Sequence, residues 1–143
     1  MEDKLATVNS NTEEIKKIFE NTKTIAIVGL SPNQSKASHI VARYLQNVGF
    51  KIIPVYPKED TILGEKVYRS LEEIPFKIDM VDIFRKSDVI GLVIDAAIKR
   101  GDIDTIWTQL GLVNNIAAQK ALEAGMNVVQ NKCTKIEYNT LFS

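Results

Sequence analysis

Apolar residues along this chain follow two alternating rhythms: short continuous runs of aliphatic and β-branched residues, and longer segments where apolar positions recur every three or four residues. The runs are residues 24–30 (TIAIVGL), 50–56 (FKIIPVY), 78–84 (IDMVDIF), 105–108 (TIWT) and 127–129 (NVV). Each has the length of a strand, and their lack of polar alternation suits strands buried on both faces of a parallel sheet. Three helical stripes lie between them. Ile40, Val41, Tyr44, Leu45 and Val48 form the first, closed by Gly49; Val89, Ile90, Val93, Ile94 and Ala97 the second, closed by Gly101; Ala117, Ala118, Ala121 and Leu122 the third, closed by Gly125. Ser87 is expected to cap the second, and Asn114 or Asn115 the third. Ahead of these, Ser10 to Glu20 reads as an opening helix with Ser10 and Glu13 spaced as a capping box and Ile15, Ile18 and Phe19 on one face. Residues 1–9 read as a flexible tail, and a short helix is expected near Ser70 to Ile74.

A βαβαβαβ order over 143 residues leaves room for one domain, spanning 1–143. Right-handed crossovers then imply an α/β fold: a doubly wound parallel sheet of about five strands with helices on both faces. Ligands of such sheets sit beyond the carboxyl ends of the strands, where strand order reverses. The loops that matter are therefore those after Leu30, Tyr56, Phe84 and Thr108.

Charge narrows the ligand. Lys+Arg 18 balances Asp+Glu 18, so no overall positive field exists to gather nucleic acid or an anionic membrane, and an anionic ligand must be held by local groups. The opening residues are polar and no later stretch is long enough to span a bilayer, which makes the cytoplasm the expected location. The single cysteine, Cys133, has no partner for a disulfide and no cluster with which to hold zinc, so no metal is expected.

The first strand runs into Gly29-Leu30-Ser31-Pro32-Asn33-Gln34-Ser35-Lys36-Ala37-Ser38 and then a helix, the place where free helix-terminal amides receive a phosphate. The pattern departs from G-x-G-x-x-G, since Gly29 stands alone and serines follow. Hydroxyls of Ser31, Ser35 and Ser38 can donate to phosphate oxygens and Lys36 adds charge; the same residues also suit plain caps and turns, and both readings stand at this point. After the second strand, an acidic residue would accept from an unmodified ribose, as in NAD binding. This chain has Tyr56-Pro57-Lys58 instead. Lys58 favours a phosphorylated ribose, as in coenzyme A or NADP, with Tyr56 and Pro57 flanking an adenine; the alternative is a solvated turn lysine.

Taken together, IAIVGLSPNQSKASHIVARYL, KIIPVYPK, ILGEKVYRSLEEIP, DMVDIFRKS, WTQLG and NVVQNKCTKIE resemble the small stand-alone coenzyme A-binding domain proteins, whose Rossmann-like fold is similar to the N-terminal domain of the succinyl-CoA synthetase α subunit. The likeness runs from about Lys23 to about Glu137. It implies an adenine-end pocket at Tyr56, Pro57 and Lys58, a diphosphate site at Gly29, Ser31, Pro32 and Ser38, and further contacts from Phe84, Arg85 and Gln109. The synthetase uses a phosphorylated histidine of a second domain, and no such role carries over to His39, expected as a surface or partly packed imidazole in the helix after the first loop.

Other chemistry is thin. Cys133 has no base beside it in sequence and reads as a small buried thiol, with exchange against a ligand thiol as the reactive alternative. Asp79 and Asp82 lie three apart in a strand, so they face opposite ways and cannot share a proton; Asp82 is expected as a helix-cap or loop partner. Trp107 reads as core or as a wall. These features favour a protein that binds coenzyme A or an acyl-CoA without catalysis of its own, in a sensing or carrier role. An NADP-dependent oxidoreductase or oxidoreductase subunit is the other reading. A small-molecule partner is expected rather than nucleic acid or membrane, and self-association, as a homodimer, stays open.

Overall fold

The computed structural model describes the backbone of Ala6–Thr7 and residues 11–143. Its centre is a sheet of six parallel strands in the order β1-β8-β7-β6-β2-β3. These are β1 (Ala6–Thr7), β2 (Thr24–Val28), β3 (Lys51–Val55), β6 (Met80–Ile83), β7 (Thr105–Thr108) and β8 (Asn127–Val129). The first long strand, β2, sits between β3 and β6, so successive units leave it in opposite directions and strand order reverses there. Five of the strands were expected. The sixth, β1, pairs Ala6 with Val128 and Thr7 with Val129, inside the segment read as a tail; the remainder of that segment lies outside the described residues.

Side-chain alternation divides the core into two layers. Ala26, Val28, Val81 and Ile83 point to one face and meet α3 (Ser87–Arg100) and α4 (Asn115–Glu123) through Ile90, Ile94, Ala97, Ala117 and Ala121. Ile25, Ile27, Met80 and Trp107 point to the other face and meet α1 (Thr12–Glu20) and α2 (Ala37–Asn47) through Ile15, Phe19, Val41 and Leu45. The registers Ile25↔Ile52 and Val28↔Ile83 keep the layers separate. Every residue of β6 and β7 is buried, which is why neither alternates between apolar and exposed polar positions; Asp82, Thr105 and Thr108 are the polar residues sealed within them.

Several local expectations shift. The capping box of α1 is formed one residue later than expected, by Asn11 and Glu14: the Glu14 amide donates to Asn11 Oδ1 at 2.9 Å and the Asn11 amide to Glu14 Oε1 at 3.1 Å. Ser10 lies outside the described residues. Lys86, not Ser87, occupies the N-cap of α3 and accepts no bond through its side chain. Asn114 caps α4, accepting from the Ala117 amide at 3.1 Å. The expected short helix is the 3-10 turn Leu71–Glu73.

Two elements had no sequence signal. The hairpin β4 (Thr61–Ile62) and β5 (Glu65–Lys66) turns through Leu63 and Gly64 with φ of 56° and 78°, a mirror-image turn that glycine accepts freely and leucine rarely adopts. Helix α5 (Thr134–Phe142) shows no clean apolar stripe. Ile136 faces out, and the helix is held instead by Tyr138, whose ring lies 5.3 Å from that of Phe19 and 5.4 Å from that of Phe50.

Candidate functional site

The site is built where strand order reverses. At the end of β2 the Gly29 amide donates to Val55 O at 2.9 Å, and Gly29 adopts φ +90°. A Cβ there would stand 2.9 Å from Arg85 Cδ and 3.1 Å from Phe84 O. Glycine is therefore required twice, by backbone conformation and by the Arg85 stem lying across it.

The following loop is tied by its own side chains. The Ser31 amide donates to Ser38 Oγ at 3.0 Å, the Asn33 amide to Ser31 Oγ at 3.0 Å, and both the amide and hydroxyl of Ser35 to Asn33 Oδ1. His39 is buried, not at the surface: its Nδ1 lies 2.9 Å from Ser31 O. A carbonyl can only accept, so Nδ1 carries the proton. The imidazole turns inward because position 39 falls on the packed face of α2. Lys36 is the N-cap of α2 and offers no side-chain acceptor, so the leading amide end of this helix is left uncapped.

Beside this loop lies a crevice of about 240 Å³. Its walls are Val28 and Val55 from the strand ends, Tyr56 and Pro57 after β3, and Val89, Leu92, Val93 and Ala96 of α3. Arg69, Ser70 and Arg85 supply its polar edge, and among the described residues no carboxylate lines it. Arg85 makes no hydrogen bond or ion pair among the described residues.

The expected residues divide into groups. Tyr56, Pro57 and Arg85 line the crevice, with Gly29 beneath the arginine. Ser31, Pro32, Lys36 and Ser38 form the neighbouring loop and helix start. Phe84 is half-buried and packs into the α1/α2 layer. Lys58 is exposed and outside the crevice lining; the chain turns at Glu59, whose φ is 71°. Gln109 is buried, its Nε2 donating to Asp82 Oδ1 at 2.6 Å and to Thr134 Oγ1 at 3.0 Å.

Asp82 caps no helix, but it does partner a loop residue, Gln109, which follows β7. The aspartate sits within β6, fully buried, and accepts from Gln109 and from Thr134 Oγ1 at 2.8 Å. Burial raises its carboxyl to about 7, against the pull of those two neutral donors. Asp79, as expected, does not share a proton with it: its Oδ2 accepts from the Lys23 and Thr24 amides at 2.8 and 3.1 Å. Partial burial pushes Asp79 up, but those amides and the Lys77 ammonium prevail and hold it below the ordinary value. Trp107 is core, its Nε1 donating to Lys132 O at 2.8 Å. Cys133 is half-buried at the N-cap of α5.

Arg69 was missed. Its Nη1 donates to the carbonyls of Tyr56, Lys58 and Glu59 at 3.1, 2.9 and 2.9 Å, so it staples the loop after β3. An isolated arginine in a polar stretch carries no periodic signal; the parallel bridge Val55↔Tyr68 brings it to the crevice. Among the described residues no group of three or more histidine, cysteine or acidic side chains could hold a metal, and no helix is long and apolar enough to cross a membrane.

A parallel sheet with an uncapped helix start and an arginine-edged crevice at its reversal point defines a Rossmann-like domain. Residues 23–139 match the model of the CoA binding domain family, and the chain belongs to that family. Protein YneT of Bacillus subtilis (strain 168) is 39% identical over 130 residues, covering 91% of this chain and 96% of YneT. The ADP-forming acetate–CoA ligase I of Archaeoglobus fulgidus is 27% identical over 135 residues, covering 85% of this chain but only 20% of the ligase. Among solved structures, a protein of Pyrococcus horikoshii OT3 superposes with a TM-score of 0.91 at 36% identity over 100% of both chains. The apo acetyl-coenzyme A synthetase 1 of Ca. Korarchaeum cryptofilum gives 0.67 at 27% identity, covering 78% of this chain and 26% of the synthetase.

Proposed function

We propose that this protein binds coenzyme A or an acyl-CoA in the crevice and along the neighbouring loop, and that it senses, stores or presents the cofactor without catalysing a reaction of its own. On this reading the adenine lies against Tyr56 and Pro57. The diphosphate meets the loop of Gly29, Ser31, Pro32 and Ser38 at the amide end of α2, with Lys36 adding charge, and Arg85 provides a further cation. Lys58 stands in solvent nearby. Phe84 and Gln109 act from beneath, by packing the loops they belong to.

The observation that carries the reading is a crevice edged by arginine and free of carboxylates at the end of β3. An unmodified ribose is ordinarily held there by an acidic side chain, whereas a phosphorylated ribose needs a cation. The carboxylate-free edge therefore supports a phosphorylated adenosine. The family and the ligase relatives support coenzyme A as its source.

Calorimetric titration with coenzyme A, NADP and NAD tests this, repeated on Arg85→Ala. Coenzyme A should bind tightest, and loss of the arginine should weaken it roughly tenfold. Preference for NADP, or indifference to all three, overturns the proposal.

A further inference from the structure

Resting on the coenzyme A reading, we propose that Arg69 is the residue that recognises the 3′-phosphate of the bound nucleotide, together with Arg85, and that Lys58 is not. Lys58 has the charge but not the place: all three cations are exposed, but Lys58 does not line the crevice and gives only its carbonyl, to Arg69. Arg69 has both.

The guanidinium of Arg69 is used on one corner alone. Nη1 is engaged by three backbone carbonyls, which fixes the plane of the group at the crevice edge. Nε and Nη2 have no acceptor among the described residues, and no acidic side chain pairs with the group. Its one link to an acid runs through the main chain, where the Arg69 amide donates to Glu73 Oε1 at 2.9 Å. A guanidinium with one edge tied down and the other edge free has already lost most of its side-chain freedom. Its remaining donors are thus held ready for an acceptor-rich, planar-fork partner.

Arg85 stands on the same crevice with its stem across Gly29 and its head unpaired. Two unpaired cations at the edge of an apolar slot suit a dianionic phosphomonoester on a nucleoside better than a singly charged diester. In coenzyme A the 3′-phosphate is that group. The arginines thus confer selectivity for the 3′-phosphorylated end, separately from the diphosphate held at the helix start.

The test is calorimetric titration of the whole protein with adenosine 3′,5′-bisphosphate and with 5′-AMP, alongside coenzyme A and dephospho-coenzyme A, on wild type, Arg69→Ala, Arg69→Lys and Lys58→Ala. Wild type should favour the 3′-phosphorylated member of each pair. Arg69→Ala should cut that preference roughly tenfold, weakening 5′-AMP less than the bisphosphate because the Tyr56-Pro57 wall also loses its staple, Arg69→Lys should keep part of the preference, and Lys58→Ala should keep all of it. Equal weakening of both ligands by Arg69→Ala would show a loop staple and nothing more, and a preference that survives Arg69→Ala or vanishes with Lys58→Ala would also overturn the assignment. Binding of the bisphosphate with discrimination at Arg69, but none of coenzyme A, would sink the coenzyme A reading and leave the arginine's role standing. Absence of binding by every ligand would sink both.

Discussion

Asp82 places a carboxyl in the middle of a strand with only neutral donors for company, and its replacement by asparagine should remove a pH dependence of folding that the native chain carries. The group titrates near 7 in the folded protein and near 3.8 when exposed. Between those values the unfolded chain has released the proton while the folded chain still holds it. The unfolded state therefore binds fewer protons, and stability falls as pH rises, by about 1.4 kcal/mol per unit. The total over the window is on the order of 4 kcal/mol, reached near pH 7 and level above it. Asparagine keeps the shape and the acceptor for Gln109, and its Nδ2 donates to Thr134 Oγ1, whose own proton must then find another acceptor at a cost of about 1 kcal/mol. Urea denaturation of both proteins from pH 4 to pH 8 reads the difference directly, because titrations common to both, such as that of Asp79, cancel. Asp82→Asn should be slightly less stable than wild type at pH 4 and about 3 kcal/mol more stable at pH 8. A stability difference that stays flat across that range would refute the reasoning.

Gly29→Ala should cost about 1–2 kcal/mol, since φ +90° strains any side chain and the new Cβ would meet the Arg85 stem at 2.9 Å; denaturation measures it, and a neutral result would refute the strain and the clash alike. Arg100→Ala should cost about 2–3 kcal/mol, because its guanidinium bonds the carbonyls of Leu71 and Ile74 at 2.7 Å and of Phe76 at 2.8 Å as well as Asp102. Hydrogen exchange should then report early opening of the 71–76 segment, and unchanged protection there would contradict this role.

Much of the architecture is legible without coordinates. Continuous apolar runs correctly mark Thr105–Thr108 and Asn127–Val129 as strands, and the helical stripes of Ile90, Ile94 and Ala97 face the sheet as their spacing requires. Periodicity records which side of an element a residue occupies, and that suffices for layers and strand count. The Tyr56-Pro57 wall and the Gly29 loop follow as well, because they adjoin strand ends whose place in a doubly wound sheet is set by topology.

Convergence of distant segments is another matter. Arg69 reaches the crevice through a single bridge to the end of β3, His39 turns inward to hold Ser31, and Asp82 meets Gln109 and Thr134 from positions 27 and 52 residues away. Arg69 has no periodic partner in sequence, and the spacing that buries His39 and Asp82 does not name the polar groups they meet. Hydrophobic patterning is a local property of the chain, so by itself it determined strands, helices and the sheet edge where strand order reverses. Which cations reach that edge, and which polar groups are sealed beneath it, depends on contacts across loops, and only the tertiary structure decided them.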